Sequence, residues 1–255
     1  MKIASWNVNS LRVRLPQVLE WLAKEQPDFL ALQEIKLTDD QFPETDVRAA
    51  GYHAVYAGQK TYNGVALLSR TQGSELITDL PELSDPQRRV LGVTFGSLRL
   101  LNLYVPNGQE VGSDKFAYKL DWLDKLATLV QNELKQYPNL VVLGDFNIAP
   151  EDRDVHDPAV WKDKVLCSAP ERHALRRLLD LGLKDTFRIF EQGGAGFSWW
   201  DYRLNAFRRN LGLRIDLILA SNAVAKNCRA SRIDKAPRGW DRPSDHAPVL
   251  AEFSI

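Results

Sequence analysis

The sequence predicts a mixed α/β (α+β) fold in which two packed mixed β-sheets are covered by outer helices. About nine segments read as strands and only a few as long helices, a proportion that does not suit a purely parallel doubly wound sheet. Several strand segments follow one another as hairpins, which require antiparallel pairing. The run Leu140, Val141, Val142, Leu143 is apolar without alternation, as in a strand buried on both faces.

In chain order, "KIASWNV" reads as a strand, after which Leu15, Val18, Leu19 and Leu22 recur at helical spacing. "DFLALQE" is a second strand, ending in Glu34. "GYHAVYA" and "GVALLS" are strands joined through a polar loop, and "VLGVTF" and "LRLLNLYV" flank the two-residue turn of Gly96 and Ser97. Leu120, Leu123, Ala127, Val130 and Leu134 mark the longest amphipathic helix. In "NLVVLGDFNIAP" the apolar strand reaches Gly144, where the backbone is expected to turn, and ends abruptly in Asp145 and Asn147. Leu175, Leu178 and Leu179 mark a further helix after Pro170. In "GLRIDLILAS" alternation puts Ile215, Leu217 and Leu219 on one face and Arg214 and Asp216 on the other, so Asp216 is an acid on a strand.

With 255 residues and 44% hydrophobic content the chain can bury a sizeable core, and no linker-like stretch divides it. One large domain or two small ones would suit that length. The 33 basic and 33 acidic residues cancel, so any nucleic-acid site must be a local patch. Cys167 and Cys228 stand far apart and form no CxxC pair, which suggests neither a disulfide framework nor a zinc site and fits a reducing, cytoplasmic setting. The first apolar run is broken by Asn7 and Asn9 and is too short for a signal peptide. No run reaches the length of a membrane span, so a soluble protein is expected.

Polar residues gather at the strand ends. "SWNVNSL" supplies Asn7 and Asn9, "ALQE" Glu34, "NLYVPN" Tyr104 and Asn107, "GDFN" Asp145 and Asn147, and "PSDHAPV" Asp245 and His246. Two readings are open for Asp145 and Asn147: their side chains bond their own turn, as such residues often do, or they serve chemistry. Brought to one edge, these tips form a carboxylate and amide cluster with one imidazole. Such a donor set suits a hard cation such as Mg²⁺ or Mn²⁺ better than zinc.

The combination resembles the exonuclease III type of the endonuclease, exonuclease and phosphatase superfamily, the divalent-metal phosphodiesterases that include apurinic/apyrimidinic endonucleases. The matching stretches are "SWNVNSLR", "LALQEIKL", "LNLYVPNG", "GDFNIAP", "FSWWDYR", "GLRIDLILAS" and "RPSDHAPV", in the family's order across nearly the whole chain. The resemblance implies a four-layered αββα sandwich, one catalytic domain over residues 1–255, and metal and catalytic groups at one edge of the paired sheets. Sphingomyelinases and inositol phosphatases share several tips, but "FSWWDYR" and "GLRIDLILAS" look like the DNA-acting branch.

Residue by residue, the resemblance makes Glu34 the principal ligand of Mg²⁺ (or of Mn²⁺ as substitute), with Asn7 near it and Asp245 a further contributor; Asp145, Asn147 and His246 also stand at the metal. The alternative for Glu34 is a surface acid paired with Lys36. Asp145 resembles the group that takes a proton from the attacking water or assists the leaving oxygen, and Asn147 the one that orients the nucleophile. Asp216 resembles the partner of His246, where a carboxylate favours the imidazolium form and fixes its orientation. Tyr104 and Asn107 resemble phosphate contacts, the alternative for Tyr104 being a core side chain with a satisfied hydroxyl. Asn9 departs from the pattern, since many members carry Asp there.

For DNA, "WWDYRLNAFRRNLGLR" combines Trp199, Trp200 and Tyr202 with Arg203, Arg208, Arg209 and Arg214, suited to stacking and phosphate contact. The alternative is a core aromatic cluster beside a solvated basic loop, and one of the two tryptophans is expected in the core. Small side chains at Cys167, Ser168 and Ala169 would leave room for an extruded sugar if that segment lined the groove. The implied activity is a Mg²⁺-dependent DNA phosphodiesterase of base-excision repair, a cytoplasmic monomer acting on double-stranded DNA with abasic sites or 3′ ends and not on membranes. The competing readings are a phosphatase or sphingomyelinase-like enzyme and a non-catalytic DNA-binding relative.

Overall fold

The computed structural model describes residues 1–254. Its N-terminal part runs β1 (Lys2–Asn7), α1 (Leu11–Glu25), β2 (Phe29–Gln33), α2 (Glu44–Ala49), β3 (His53–Ala57), β4 (Val65–Ser69) and β5 (Ser74–Ile77). The middle carries β6 (Val90–Phe95), β7 (Leu98–Tyr104), α3 (Asp114–Gln136), β8 (Leu140–Asp145), α4 (Pro158–Trp161) and α5 (Ala169–Asp180). The C-terminal part adds β9 (Leu183–Asp185), β10 (Asp216–Ser221), α6 (Asn222–Ala225), β11 (Cys228–Ile233) and β12 (Val249–Phe253). One six-stranded sheet has the order β11-β12-β1-β2-β4-β3, the other β5-β6-β7-β8-β10-β9. Both are mixed, with parallel pairs β1–β2 and β7–β8 beside antiparallel neighbours.

Four layers result. Ile3, Ala31 and Leu67 of the first sheet meet Leu91, Leu100, Val141 and Ile218 of the second in a shared apolar layer. The outer face of the first sheet is covered by α1, whose Val18, Trp21 and Leu22 pack with Ala4, Leu30 and Leu68. The outer face of the second is covered by α3 and α5, whose Leu123, Leu126, Val130 and Leu178 pack with Leu101, Val142 and Leu219. This is why β8 lacks alternation: Val141 and Leu143 face the other sheet while Leu140 and Val142 face the helices.

Three strands lie outside the sequence expectation, namely β5, β9 and β11, and all are edge strands. Their residues are largely exposed or half-buried, so burial imposes little pattern on them. Gly144 also departs from expectation. The strand continues through it to Asp145, and glycine is required because φ is +143° and a Cβ there would stand 2.0 Å from the Leu103 carbonyl oxygen.

The register explains how distant tips meet. Asn7 pairs with Gln33 across β1–β2, which sets Glu34 just beyond. Asp145 pairs with both Tyr104 and Asp216, because β8 runs parallel to β7 and antiparallel to β10. β12 runs antiparallel to β1 with Val249 opposite Ser5, so His246, just before it, comes to the same edge.

Candidate active site

The site is built where both sheets end. Asn7 bridges them: its Nδ2 donates to Glu34 Oε1 at 2.8 Å and to Asp145 Oδ2 at 2.9 Å. His246 Nδ1 donates to Asp216 Oδ2 at 2.9 Å, and its Nε2 stands 3.7 Å from Asp145 Oδ2. Asn147 is held on three sides: its backbone N–H donates to Asp145 Oδ1 (2.9 Å), its Nδ2 to the Val105 carbonyl (3.0 Å), and its Oδ1 accepts from Asn107 Nδ2 (3.2 Å). The bond within their own turn is present, and beside it Asp145 and Asn147 make contacts to other strands and loops. Glu34, Asn147 and Asn9 adopt φ of 51°, 49° and 43°, left-handed conformations unfavourable for a non-glycine residue.

Electrostatics distinguishes the buried groups. Burial pushes the Asp145 carboxyl up to about 7, against the pull of His246, with Asp216 and Glu34 adding to the rise. Burial alone would lower His246, yet the carboxylates of Asp216 and then Asp145 prevail and raise it to about 10. Burial, then Glu34 and Asp145, hold the Tyr104 phenol well above its ordinary value, so it stays a proton donor. The Arg89 guanidinium stacks 4.7 Å from its ring centre.

Ligand atoms of Glu34, Asp145 and His246 all lie within 4.8 Å of one another. A carboxylate pushed toward neutrality by burial, with acidic neighbours adding to the rise, is a place that a divalent cation would relieve, so the residues fit a metal of the Mg²⁺ type. While it carries its proton His246 offers no lone pair, so of these three residues Glu34 and Asp145 are the ones with oxygen atoms free to hold a cation. Asp245 stays outside this group: its carboxylate accepts from Asn9 Nδ2 (3.0 Å) and Trp199 Nε1 (3.0 Å). Lys36 Nζ lies 3.0 Å from Glu34 Oε2 and also donates to Asn9 Oδ1 at 2.5 Å, so the surface pairing considered for Glu34 is present beside the cluster.

The expected DNA-contacting residues divide. Trp199 is half-buried at the rim, Asn107 is exposed next to Asn147, and Arg203, Arg208 and Arg209 are exposed, Arg203 pairing with Asp201. Two assignments are corrected. Trp200 is fully buried, edge-on to Phe207 at 5.1 Å, and belongs to the core. Arg214 is 1% exposed and spends its charge on Asp154 (2.6 Å) and Asp185 (2.7 Å), so neither can meet DNA. Ser168 is likewise buried, as the cap of α5, where its backbone N–H donates to Glu171 Oε2 at 3.1 Å. Cys167 and Ala169 line a cavity of about 630 Å³ with Asp152, Trp161, Lys162 and Arg172, a set that contains none of Glu34, Asp145 or His246.

Sequence reasoning missed three supporting residues. Lys119 of α3 is fully buried and its ammonium bonds the carbonyls of Asn107 (3.0 Å) and Asn147 (2.7 Å) as well as Glu171 (2.5 Å). Arg14 ties the Asn9 carbonyl (2.7 Å), the Tyr202 hydroxyl (3.1 Å) and the Pro243 carbonyl (3.0 Å) together. Ser198 bonds Asp216. A charge at a core-facing helix position is the one signal that pointed to Lys119; Arg14 lies two residues beyond "SWNVNSLR", and Ser198 stands in "FSWWDYR" as a residue without a distinctive chemistry of its own.

Known proteins share this arrangement of the chain. Exodeoxyribonuclease III of Haemophilus influenzae is 37% identical over 266 residues, covering 99% of this chain and 100% of its own length. The solved structure of the 3′ phosphatase NExo from Neisseria, bound to a product DNA hairpin, matches with a TM-score of 0.98 and 49% identity over 100% of both chains. That of an AP endonuclease from Archaeoglobus fulgidus matches with a TM-score of 0.96 and 36% identity, again over 100% of both. Residues 4–246, from the strand that carries Asn7 to His246 itself, match the Endonuclease/Exonuclease/phosphatase family, and the chain belongs to that family.

Proposed function

We propose that this chain is a divalent-metal-dependent DNA phosphodiesterase of base-excision repair, which cleaves the strand 5′ to abasic sites and removes 3′ blocking groups and nucleotides. The observation that carries the reading is the buried pair of Asp145, which shares Asn7 with Glu34, and His246, which is held by Asp216, 3.7 Å apart. Such a pair assigns acceptor and donor roles to neighbouring side chains. Asp145 accepts a proton from the attacking water. Asn147 has one amide hydrogen committed to Val105 and keeps the second for orienting the nucleophile. His246 has Nδ1 committed to Asp216 and presents Nε2–H, with its charge, to a phosphate oxygen. Tyr104 donates its phenolic proton to another phosphate oxygen. Glu34 and Asp145, with Asn7 beside them, would hold a Mg²⁺ ion or Mn²⁺ in its place, and that ion would supply charge neutralisation at the phosphate.

DNA as the substrate is supported by the 49%-identical structure of a 3′ phosphatase bound to a product DNA hairpin, and by the likeness to an exodeoxyribonuclease and an AP endonuclease. Trp199, Asn107, Arg203, Arg208 and Arg209 would contact the strand as a monomer binds it. Among the described residues no helix is long and apolar enough to cross a membrane.

A gel assay tests the reading with two duplexes, one carrying a tetrahydrofuran abasic analogue and one a 3′ phosphate, each with Mg²⁺ or EDTA. Incision 5′ to the analogue and loss of the 3′ phosphate, both abolished by EDTA, are expected. Binding without cleavage would favour a non-catalytic relative. Hydrolysis of sphingomyelin or an inositol phosphate with no action on DNA would favour the other phosphoesterase branch.

A further inference from the structure

One buried hydroxyl joins the aromatic motif to the Asp216 and His246 pair. Ser198 is fully buried, and its Oγ accepts the backbone N–H groups of Ile215 and Asp216, each at 3.1 Å, while lying 2.6 Å from Asp216 Oδ2. A serine oxygen has two lone pairs and one proton. With both lone pairs taken by backbone donors, the O–H has one direction left, into the Asp216 carboxylate. A closed ring therefore runs from the Asp216 N–H through Ser198 to the carboxylate of the same residue, which removes the rotational freedom of that side chain. Asp216 Oδ2 accepts from Ser198 and from His246 Nδ1 together.

The backbone of Ser198 reaches the other partner. Its carbonyl accepts the Ala247 N–H at 2.7 Å, one residue beyond His246, and Trp199 forms a bridge with His246. Ser198 is thus bonded to the strand that carries Asp216 and to the segment that carries His246, two pieces of chain 30 residues apart. A serine that merely filled core space would need one partner; this one is saturated at every valence. We propose that Ser198 is a positioning residue of the reaction, holding the Asp216 carboxylate in the orientation that aims His246 at the phosphate. The proposal rests on the reading of Asp216 and His246 as a catalytic pair.

On the DNA substrates, Ser198→Ala is expected to lower kcat about tenfold with KM unchanged, and Ser198→Thr, which keeps the hydroxyl, to retain wild-type kcat. In an Asp216→Ala background Ser198→Ala should cost nothing further, because it acts through that carboxylate. A substrate-free readout accompanies the kinetics. In metal-free protein labelled with ¹⁵N-histidine, the Nδ1–H resonance of His246 should be downfield and protected in the wild type and in Ser198→Thr, and lost to exchange in Ser198→Ala. A further tenfold loss in the Asp216→Ala background, a loss confined to KM, or an unchanged Nδ1–H resonance in Ser198→Ala would each overturn the assignment. If the chain turns over no DNA, the repair reading fails alone, and the resonance still decides the role of Ser198.

Discussion

Arg214 and Asp216 stand two residues apart, the first just before β10 and the second at its start, yet they feed two buried charge clusters that behave differently. Around Arg214 the charges match: Arg214 and Arg188 face Asp154 and Asp185. Guanidinium groups keep their proton under all ordinary conditions, so this cluster is closed and serves as scaffold. Around Asp216 they do not match. Glu34, Asp145 and Asp216 face one imidazolium and the Lys36 ammonium at the rim, and the excess falls on Asp145, pushed up to about 7. Matched buried charges make a fixed scaffold, whereas a deficit of positive charge leaves a site ready for a cation and a proton.

The largest effect should come from breaking the open cluster. Asp145→Asn is expected to lower kcat by roughly a thousandfold or more at every Mg²⁺ concentration, while the folding midpoint holds or rises, because a buried carboxylate is removed. Glu34→Ala should lower turnover by orders of magnitude at low Mg²⁺ and recover in part at high Mg²⁺. Steady-state kinetics across a Mg²⁺ titration checks both, and an unchanged titration for Glu34→Ala would remove it from the ligand set.

The closed cluster should respond in the opposite sense. Asp154→Ala leaves two guanidinium groups without their shared carboxylate, a loss on the order of 3–5 kcal/mol of stability, with kcat per folded molecule retained. Urea unfolding alongside active-site titration separates the two quantities. A larger loss in kcat than in stability would erase the distinction between scaffold and site.

A smaller effect should be visible in the coupling of metal to pH. In the unfolded chain Asp145 returns to its ordinary value of 3.8, whereas in the fold it lies near 7. Between those values the folded state binds more protons, so in EDTA stability falls as pH rises from about 4 to 7. His246 acts higher: its stabilisation is complete below its unfolded value of 6.5 and is lost as pH climbs through about 10. A cation favours the ionised carboxylate. Mg²⁺ should therefore raise Tm by a few degrees at pH 8 and by less at pH 5, in thermal melts with Mg²⁺ or EDTA. Equal shifts at both pH values would contradict the tuning of Asp145.

The smallest effect belongs to the exposed arm, where charges are neither buried nor matched. Arg208→Ala and Arg209→Ala should each weaken DNA binding severalfold and reduce the salt slope by about one, with kcat unchanged. Arg203→Ala should do less, because Arg203 already pairs with Asp201. Fluorescence anisotropy at several salt concentrations measures the slope.

Much of this was legible in the sequence where a property is local. The eight internal strands and the edge strand β3 show in their apolar runs, and α1, α3 and α5 in their spacing, whereas β5, β9 and β11, also at sheet edges, bury too little to carry a pattern. The tips Asn7, Glu34, Asp145, Asn147 and His246 stood out as polar groups ending apolar strands. Trp199 and Trp200 were indistinguishable by type; only the bridge between Trp199 and His246 and the packing of Trp200 on Phe207 separate rim from core.

The sequence by itself determined most of the strands, the long helices and the kinds of group at their ends, because hydrophobic periodicity and backbone geometry act within a few residues. Tertiary structure alone decided which acid meets which base. Asn7 reaches Asp145 across 138 residues, Arg214 reaches Asp154 across 60, and His246 reaches Asp216 across 30. Charge pairing and proton affinity depend on atoms within a few ångströms and on how much water is excluded around them, and both are set only when the sheets have packed.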